Sequence, residues 1–138
     1  MKGRPELLTR NVAVSSFNAH VSLRAVHERG QEPAVESGPW LELRGPLGEP
    51  VRDVTAVRLS MYPKDKVEIG TARPASVGAV IGMRGTMEVV LTWPQVDFDR
   101  VWALALGGAL NFAHLCFTPP RYGSGLVVNV SFSNEREE

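Results

Sequence analysis

The chain holds three histidines and one cysteine, the side chains best suited to metal binding or nucleophilic chemistry. His20 and His27 are seven residues apart, so on one strand they would point to opposite faces. His114 and Cys116 have the i, i+2 spacing that puts two ligands on one face. Two ligands without a nearby third are a weak metal signal, and we interpret His114 as a buried histidine bonded to a backbone group. The sequence therefore predicts no metal and no cofactor.

Two further patterns could support catalysis. Asp97 and Asp99 are close in sequence, as acid–base pairs can be, but a helix N-cap and the helix dipole explain both. Gly123–Ser124–Gly125 lacks the Gly-x-Ser-x-Gly spacing of a nucleophile turn and joins two strand-like runs. We interpret it as a flexible hairpin turn and predict no catalytic residue.

Four residues at predicted turns and strand ends could instead bind a ligand by stacking. Trp40 begins a predicted strand, Tyr62 ends another, and Arg121 and Tyr122 follow two prolines. Aromatic side chains exposed at loop tips can stack on sugar rings or nucleobases. A small-ligand or carbohydrate-binding module would need all four residues in one cleft. Packing of the aromatic rings in the core or at its rim is the competing interpretation.

The composition is that of an ordinary globular chain. Its 138 residues, 43% of them hydrophobic and 22% charged, predict a single domain over residues 1–138. With 15 basic and 15 acidic residues the formal charge is zero, which argues against broad binding to nucleic acid or anionic membrane. No stretch approaches the roughly 20 apolar residues of a membrane span. The single cysteine excludes an intrachain disulfide and favours a reducing cytoplasm.

Alternating apolar residues predict strands along most of the chain. The predicted strands are residues 11–27, 40–44, 51–62, 67–71, 77–83, 86–93, 109–118 and 126–133. A change of phase near Ser15–Ser16 predicts a bulge or a break between two short strands. Residues 45–50, rich in Gly and Pro, predict a turn that joins the second and third strands into a hairpin. Arg84–Gly85 predicts the turn of a second hairpin.

About eight strands at spacings of roughly ten residues predict an all-β fold. We expect an antiparallel β-sandwich, with a β-barrel as the alternative. Residues 1–10 predict a loose leader. Residues 28–39, which hold Gly, Pro and Glu, predict a mobile surface loop.

One short helix is predicted over residues 98–106, immediately before the last two strands. Apolar residues recur there from Phe98 at i, i+3, i+4, i+7 and i+8, which is one face of a helix. Asp97 suits the N-cap position, and Gly107 suits the left-handed residue that ends a helix. Because so short a helix does not fold alone, we expect it to lie on the sheet or close one end of it.

The last two predicted strands form a hairpin, and they differ in how their apolar residues are distributed. The second strand alternates, and its apolar face is predicted to hold Leu126, Val128, Val130 and Phe132. The first, residues 109–118, is apolar on both faces, which is typical of a strand covered on both sides. The core covers one face, and the helix or a partner subunit is expected to cover the other. This predicts an interface at the hairpin, with Val127 as its apolar neighbour.

Two stretches of the C-terminal third resemble a group of small uncharacterised bacterial proteins associated with accessory or mobile DNA. They are residues 97–105, Asp-Phe-Asp-Arg-Val-Trp-Ala-Leu-Ala, and residues 126–135, Leu-Val-Val-Asn-Val-Ser-Phe-Ser-Asn-Glu. The group has no known activity, so the resemblance implies no functional residues. It implies a bacterial, cytoplasmic protein.

Three hypotheses about function remain. The first is a non-enzymatic protein that acts through protein–protein contact, as a homo-oligomer or an accessory subunit. It is favoured by the many strands, the lack of a reactive cluster and a net charge that does not oppose association. The second is the small-ligand or carbohydrate-binding module. The third is a small enzyme with His20 or His114 in its site, which requires a carboxylate or a metal beside the histidine.

Overall fold

The computed structural model describes residues 6–64 and 76–135, with residues 35–37 described by their backbone alone. Within these ranges the chain forms ten strands and one helix. In chain order they are β1 (Leu8–Ala13), β2 (Ser16–His20), β3 (Leu23–Val26), β4 (Ala34–Ser37), β5 (Trp40–Val51), β6 (Val54–Lys64), β7 (Gly78–Gly82), β8 (Met87–Pro94), α1 (Gln95–Leu106), β9 (Phe112–Phe117) and β10 (Gly125–Ser133). The strand predicted over residues 67–71 lies outside the described residues.

Seven of the strands close into a barrel. Their order around the ring is β1, β9, β10, β7, β8, β6 and β5, and the pairing of Val12 with Leu47 joins β5 back to β1. Strands β6 and β8 run parallel, and the other described pairings are antiparallel. Ring closure gives each of these strands a neighbour on both sides, which removes the exposed edges of an open sheet.

The all-β prediction is confirmed, and the barrel that was the stated alternative is the form that the chain adopts. A sandwich, the form expected first, would keep two separate sheets. Here β1 pairs with β9 on one side and with β5 on the other, so one sheet closes on itself. The fold class follows from local alternation, whereas the closed form depends on the contact between β1 and β5.

The barrel interior is filled by alternate side chains of its strands. Leu43, Leu59 and Val89 lie at one level across β5, β6 and β8, and each is at most 1% exposed. Helix α1 packs against β6 and β8 and contributes Phe98 and Val101 to the same cluster. Among the described residues the buried set contains no polar or charged side chain. The described interior of the barrel is therefore an apolar core filled by side chains.

The first predicted hairpin is confirmed as β5 and β6, but its turn comes later than expected. The turn is at Arg52 and Asp53, and residues 45–50 belong to β5. A β-carbon at position 45 would lie 2.0 Å from the carbonyl oxygen of Ala13. Gly45 thus marks a close approach of two backbones inside a strand, not a turn. The hairpins β7–β8 and β9–β10 are confirmed as well.

Helix α1 is confirmed, with an earlier start than the predicted Phe98. It begins at Gln95, and its N-cap is Pro94, which makes no side-chain capping hydrogen bond. Asp97 was expected at the N-cap and instead lies in the first turn. Its carboxylate still suits the positive end of the helix dipole.

Helix α1 ends at Leu106, as predicted, but the left-handed residue that follows it comes one position later than expected. Gly107 is the C-cap and has a right-handed φ of −79°, whereas Gly108 is left-handed with a φ of +75°. The backbone N–H of Ala109 donates to the carbonyl of Leu104 at 2.9 Å, as in a Schellman motif. The left-handed role expected of Gly107 therefore belongs to its neighbour.

A bulge in β10 shifts the predicted faces of the last hairpin. The register changes between Val127 and Asn129, which leaves Val128 as the extra residue. Val127, expected on the wetter face and at an interface, is 0% exposed inside the barrel. Val130 and Phe132 share the inward side after the bulge, because they pair with the inward residues of β9. An alternation read without the bulge places Val127 on the wrong face.

Two segments expected to lack structure are partly in strands. The predicted leader of residues 1–10 includes the start of β1, where Leu8 pairs with Phe117. The predicted loop of residues 28–39 includes β4, which pairs with β3. The break predicted near Ser15–Ser16 is confirmed by the separation of β1 from β2.

Candidate interaction site

A hairpin extends from the barrel, with β2 paired to the first half of β5 outside the closed ring. Ser16 pairs with Arg44 and His20 with Trp40, so β2 lies along the first half of β5. The same register continues in β3 and β4, where Leu23 pairs with Ser37. The backbone N–H of Gly38 donates to the carbonyl of Ser22 at 2.7 Å between the two pairs of strands. We call residues 21–39, the part of the hairpin beyond β2 and β5, the arm.

The arm is a two-stranded ribbon with exposed apolar side chains. Strands β3 and β4 form a separate sheet of two strands. Val21 is 58% exposed and Leu23 is 73% exposed, and both continue the face of β2 that holds Phe17. An isolated two-stranded ribbon is at best marginally stable in water. The arm is therefore an exposed apolar surface on a ribbon with little support of its own, which makes it a candidate contact surface.

Strand β2 adds an open edge to this surface. It stands at the end of the sheet order, with β5 on one side and no described strand on the other. All five residues of β2 are exposed. An open edge offers unpaired backbone groups to which an extended segment of another chain can add. The arm and the β2 edge together form a continuous candidate contact surface.

A groove lined by arginines lies on the outer wall of the barrel. Its volume is about 570 Å³, and Arg44, Arg58 and Arg84 line it from β5, β6 and the β7–β8 turn. Ser15, Thr55 and Thr86 are also part of the lining. We call this surface the arginine groove.

Two of the arginines stand directly opposite each other. Arg44 and Arg58 are cross-strand partners, a placement in which like charges repel. Glu42 forms an ion pair with Arg44 at 2.5 Å, and Glu88 forms one with Arg58. Arg84 is exposed and has no ion pair among the described residues. The groove therefore keeps one unbalanced guanidinium beside an opposed pair, which suits a carboxylate or another oxyanion.

The four residues of the predicted ligand site are not brought together. Trp40 and Tyr62 lie where β5 begins and β6 ends, and the ring of Trp40 stacks on His20 with 5.3 Å between centroids. Arg121 and Tyr122 lie at the β9–β10 turn, near the opposite ends of β5 and β6. That turn is tied to the β5–β6 turn by Arg52, which donates to the carbonyl of Pro120 at 2.5 Å. The length of strand β6 separates the two pairs, so they do not share the single cleft that the hypothesis requires.

The β9–β10 turn itself is tight and carries an exposed aromatic residue. The backbone N–H groups of Arg121 and Ser124 each donate to the other residue's carbonyl, at 2.8 and 3.0 Å. Tyr122 and Gly123 both have positive φ, of 53° and 79°, as in a type I′ turn. Tyr122 is fully exposed. The serine of this turn serves the hairpin, because its Oγ donates to the carbonyl of Arg121.

Two of the three histidines make contacts with other side chains, His20 with Trp40 and His114 with Asn11. His114 Nδ1 is hydrogen-bonded to Asn11 Oδ1 at 2.8 Å, so its partner is a side chain and not the backbone group expected. His114 is half-buried on the outer face of β9, and Cys116 lies on the same face. His27 is exposed at the arm tip. Within the described ranges, no three of His, Cys, Asp and Glu are grouped closely enough to hold a metal ion.

Sequence reasoning missed the arginine groove. Alternation along residues 51–62 places Arg58 on the outer face of its strand. Nothing local reveals that Arg44 is its partner, because residues 45–50 suggested a turn that would have given a different register. The sequence also does not show that Glu88, on another strand, forms an ion pair with Arg58, or that Glu42 forms one with Arg44.

Comparison of the chain with protein-family models, with curated proteins and with solved structures gives no match. In the described part of the chain, no helix is long and apolar enough to cross a membrane. The candidate site therefore rests on its own geometry.

Proposed function

We propose that this protein acts through protein–protein contact, as a self-associating or accessory barrel whose arm is the contact element. The observation that supports this most directly is the exposure of Val21 and Leu23 on a ribbon that pairs only with itself. Covering these side chains with a partner would remove apolar surface from water, at about 25 cal/mol per Å². It would also order a ribbon that is marginal alone.

Self-association is the form of contact that we favour. The formal charge of zero leaves no long-range repulsion between copies. The open edge of β2 and the apolar face of the arm are present on every copy, so two copies can offer matching surfaces. We further propose a bacterial, cytoplasmic protein, consistent with its single, unpaired cysteine.

Sedimentation velocity on the wild type and on Val21→Thr/Leu23→Thr tests the proposal. Threonine keeps the β propensity of the arm while removing apolar contact. We expect the wild type to associate at tens of micromolar and the double variant to associate at least tenfold more weakly.

Ile81→Thr is the matched control. Ile81 lies on β7 of the barrel wall and is 58% exposed, the same fraction as Val21. This control should associate like the wild type. A monomeric wild type at tens of micromolar would contradict self-association, and equal weakening by Ile81→Thr would show that the arm has no special part in it.

A further inference from the structure

We propose that the arginine groove receives the arm tip of a second copy of this chain. This inference rests on the proposed function, in which the arm is the contact element, and it names the surface that the arm contacts. The arm tip is the loop of residues 27–33 between β3 and β4. It carries two exposed glutamates, Glu28 and Glu32, and one arginine, Arg29, so acidic residues outnumber basic ones.

Charge complementarity connects the two surfaces. The groove lining holds three arginines and one carboxylate, Glu88. Arg44 and Arg58 already have ion pairs, with Glu42 and Glu88, so the excess positive charge of the groove comes from Arg84. Arg84, which has no ion pair among the described residues, is available to bind a carboxylate of the tip. Guanidinium and carboxylate groups form bidentate, charge-assisted hydrogen bonds, so this pairing gives register as well as attraction.

The register of the hairpin places the tip many residues from the groove of its own copy. Arg44, in the groove lining, pairs with Ser16 at the base of the hairpin. Glu28 follows Ser16 by twelve residues, a span of up to about 40 Å for extended chain at about 3.3 Å per residue. The tip would have to fold back along its whole length to reach this groove. A second copy can present its tip without any such change, which is why we assign the groove to a second copy.

Each contact joins two different surfaces, the arm tip of one copy and the groove of another. One contact leaves a free groove on one copy and a free arm on the other. Two copies can satisfy both contacts reciprocally, or further copies can add to form a ring or a filament. In each case the contact weakens as salt screens the ion pairs.

A charge-exchange experiment by sedimentation velocity tests the pairing. The groove variant is Arg44→Glu/Arg84→Glu, which keeps the Arg58–Glu88 ion pair between β6 and β8 intact. The tip variant is Glu28→Arg/Glu32→Arg. We expect each variant alone to associate at least tenfold more weakly than the wild type. An equimolar mixture should recover association, because each copy then meets a surface of opposite charge.

The double variant Arg100→Glu/Arg121→Glu is the control for charge. It changes the net charge by the same amount as the groove variant, but on α1 and the β9–β10 turn. It should associate like the wild type. Thermal unfolding of each variant checks that the barrel is folded.

The outcomes separate this inference from the proposed function. A groove variant that associates like the wild type, while Val21→Thr/Leu23→Thr does not associate, would overturn the groove assignment and leave the arm as the contact element. A mixture of folded variants that stays dissociated would also overturn the pairing. A monomeric wild type would overturn both proposals.

Discussion

The arm and the barrel carry the same alternation of apolar residues, yet only the barrel covers its apolar face. Strand β5 in the barrel and β3 in the arm belong to one hairpin with one register. Leu43 in β5 is 1% exposed, whereas Leu23 in β3 is 73% exposed. The alternation determines which face a side chain lies on. Only the topology determines whether anything covers that face.

The cause of this difference is the number of neighbours that each strand has. Every barrel strand pairs on both sides and faces other strands across the interior. In the arm, β3 and β4 pair only with each other. The barrel strands therefore support one another on both sides, whereas the arm is joined to the described sheet only at its base.

The largest expected contrast is between a barrel leucine and an arm leucine. Leu59→Ala should lower the free energy of unfolding by about 3 kcal/mol, because Leu59 is fully buried and its truncation leaves a cavity. Leu23→Ala should change it by no more than about 0.5 kcal/mol, since an exposed side chain loses few contacts. Urea denaturation at a protein concentration too low for association measures both. Equal losses would show that the arm packs on the barrel.

A smaller contrast concerns the place where barrel and arm diverge. Gly45→Ala should destabilise by about 1–3 kcal/mol, because its β-carbon would clash with the backbone of Ala13 at the bend between β1 and β2. Gly48→Ala, in the same strand, is the control. Its β-carbon would lie 3.4 Å from the carbonyl oxygen of Asn11, so the change should be neutral or slightly stabilising. If urea denaturation gives the same loss of stability for both variants, the steric explanation for Gly45 is wrong.

Local sequence patterns predict most of the strands and the helix. They do not predict that the sheet closes into a barrel. The β9–β10 hairpin and helix α1 could be predicted because alternation, helical spacing and turn residues are short-range signals. Closure depends on Val12 meeting Leu47, a contact that no local pattern contains. Gly45 misled the turn prediction, since a glycine needed for a close approach looks the same in sequence as one needed for a turn.

The candidate site was harder to predict than the fold. Residues 28–39 suggested a loop through their Gly, Pro and Glu content, although the backbone of β4 continues the register set by β5. The exposure of Val21 could not be foreseen, because alternation in the arm and in the barrel looks alike. The arginine groove needed the register of β5 against β6, which the misplaced turn concealed.

The central claim, that the arm is the contact element, is tested most directly by removing it. His20 and Trp40 are cross-strand partners, so replacing residues 21–39 with Asn-Gly joins them through a two-residue hairpin turn and leaves the barrel intact. Sedimentation velocity over a concentration series then compares this variant with the wild type. We expect the variant to be a folded monomer under conditions in which the wild type associates. A variant that associates as strongly as the wild type would contradict the central claim.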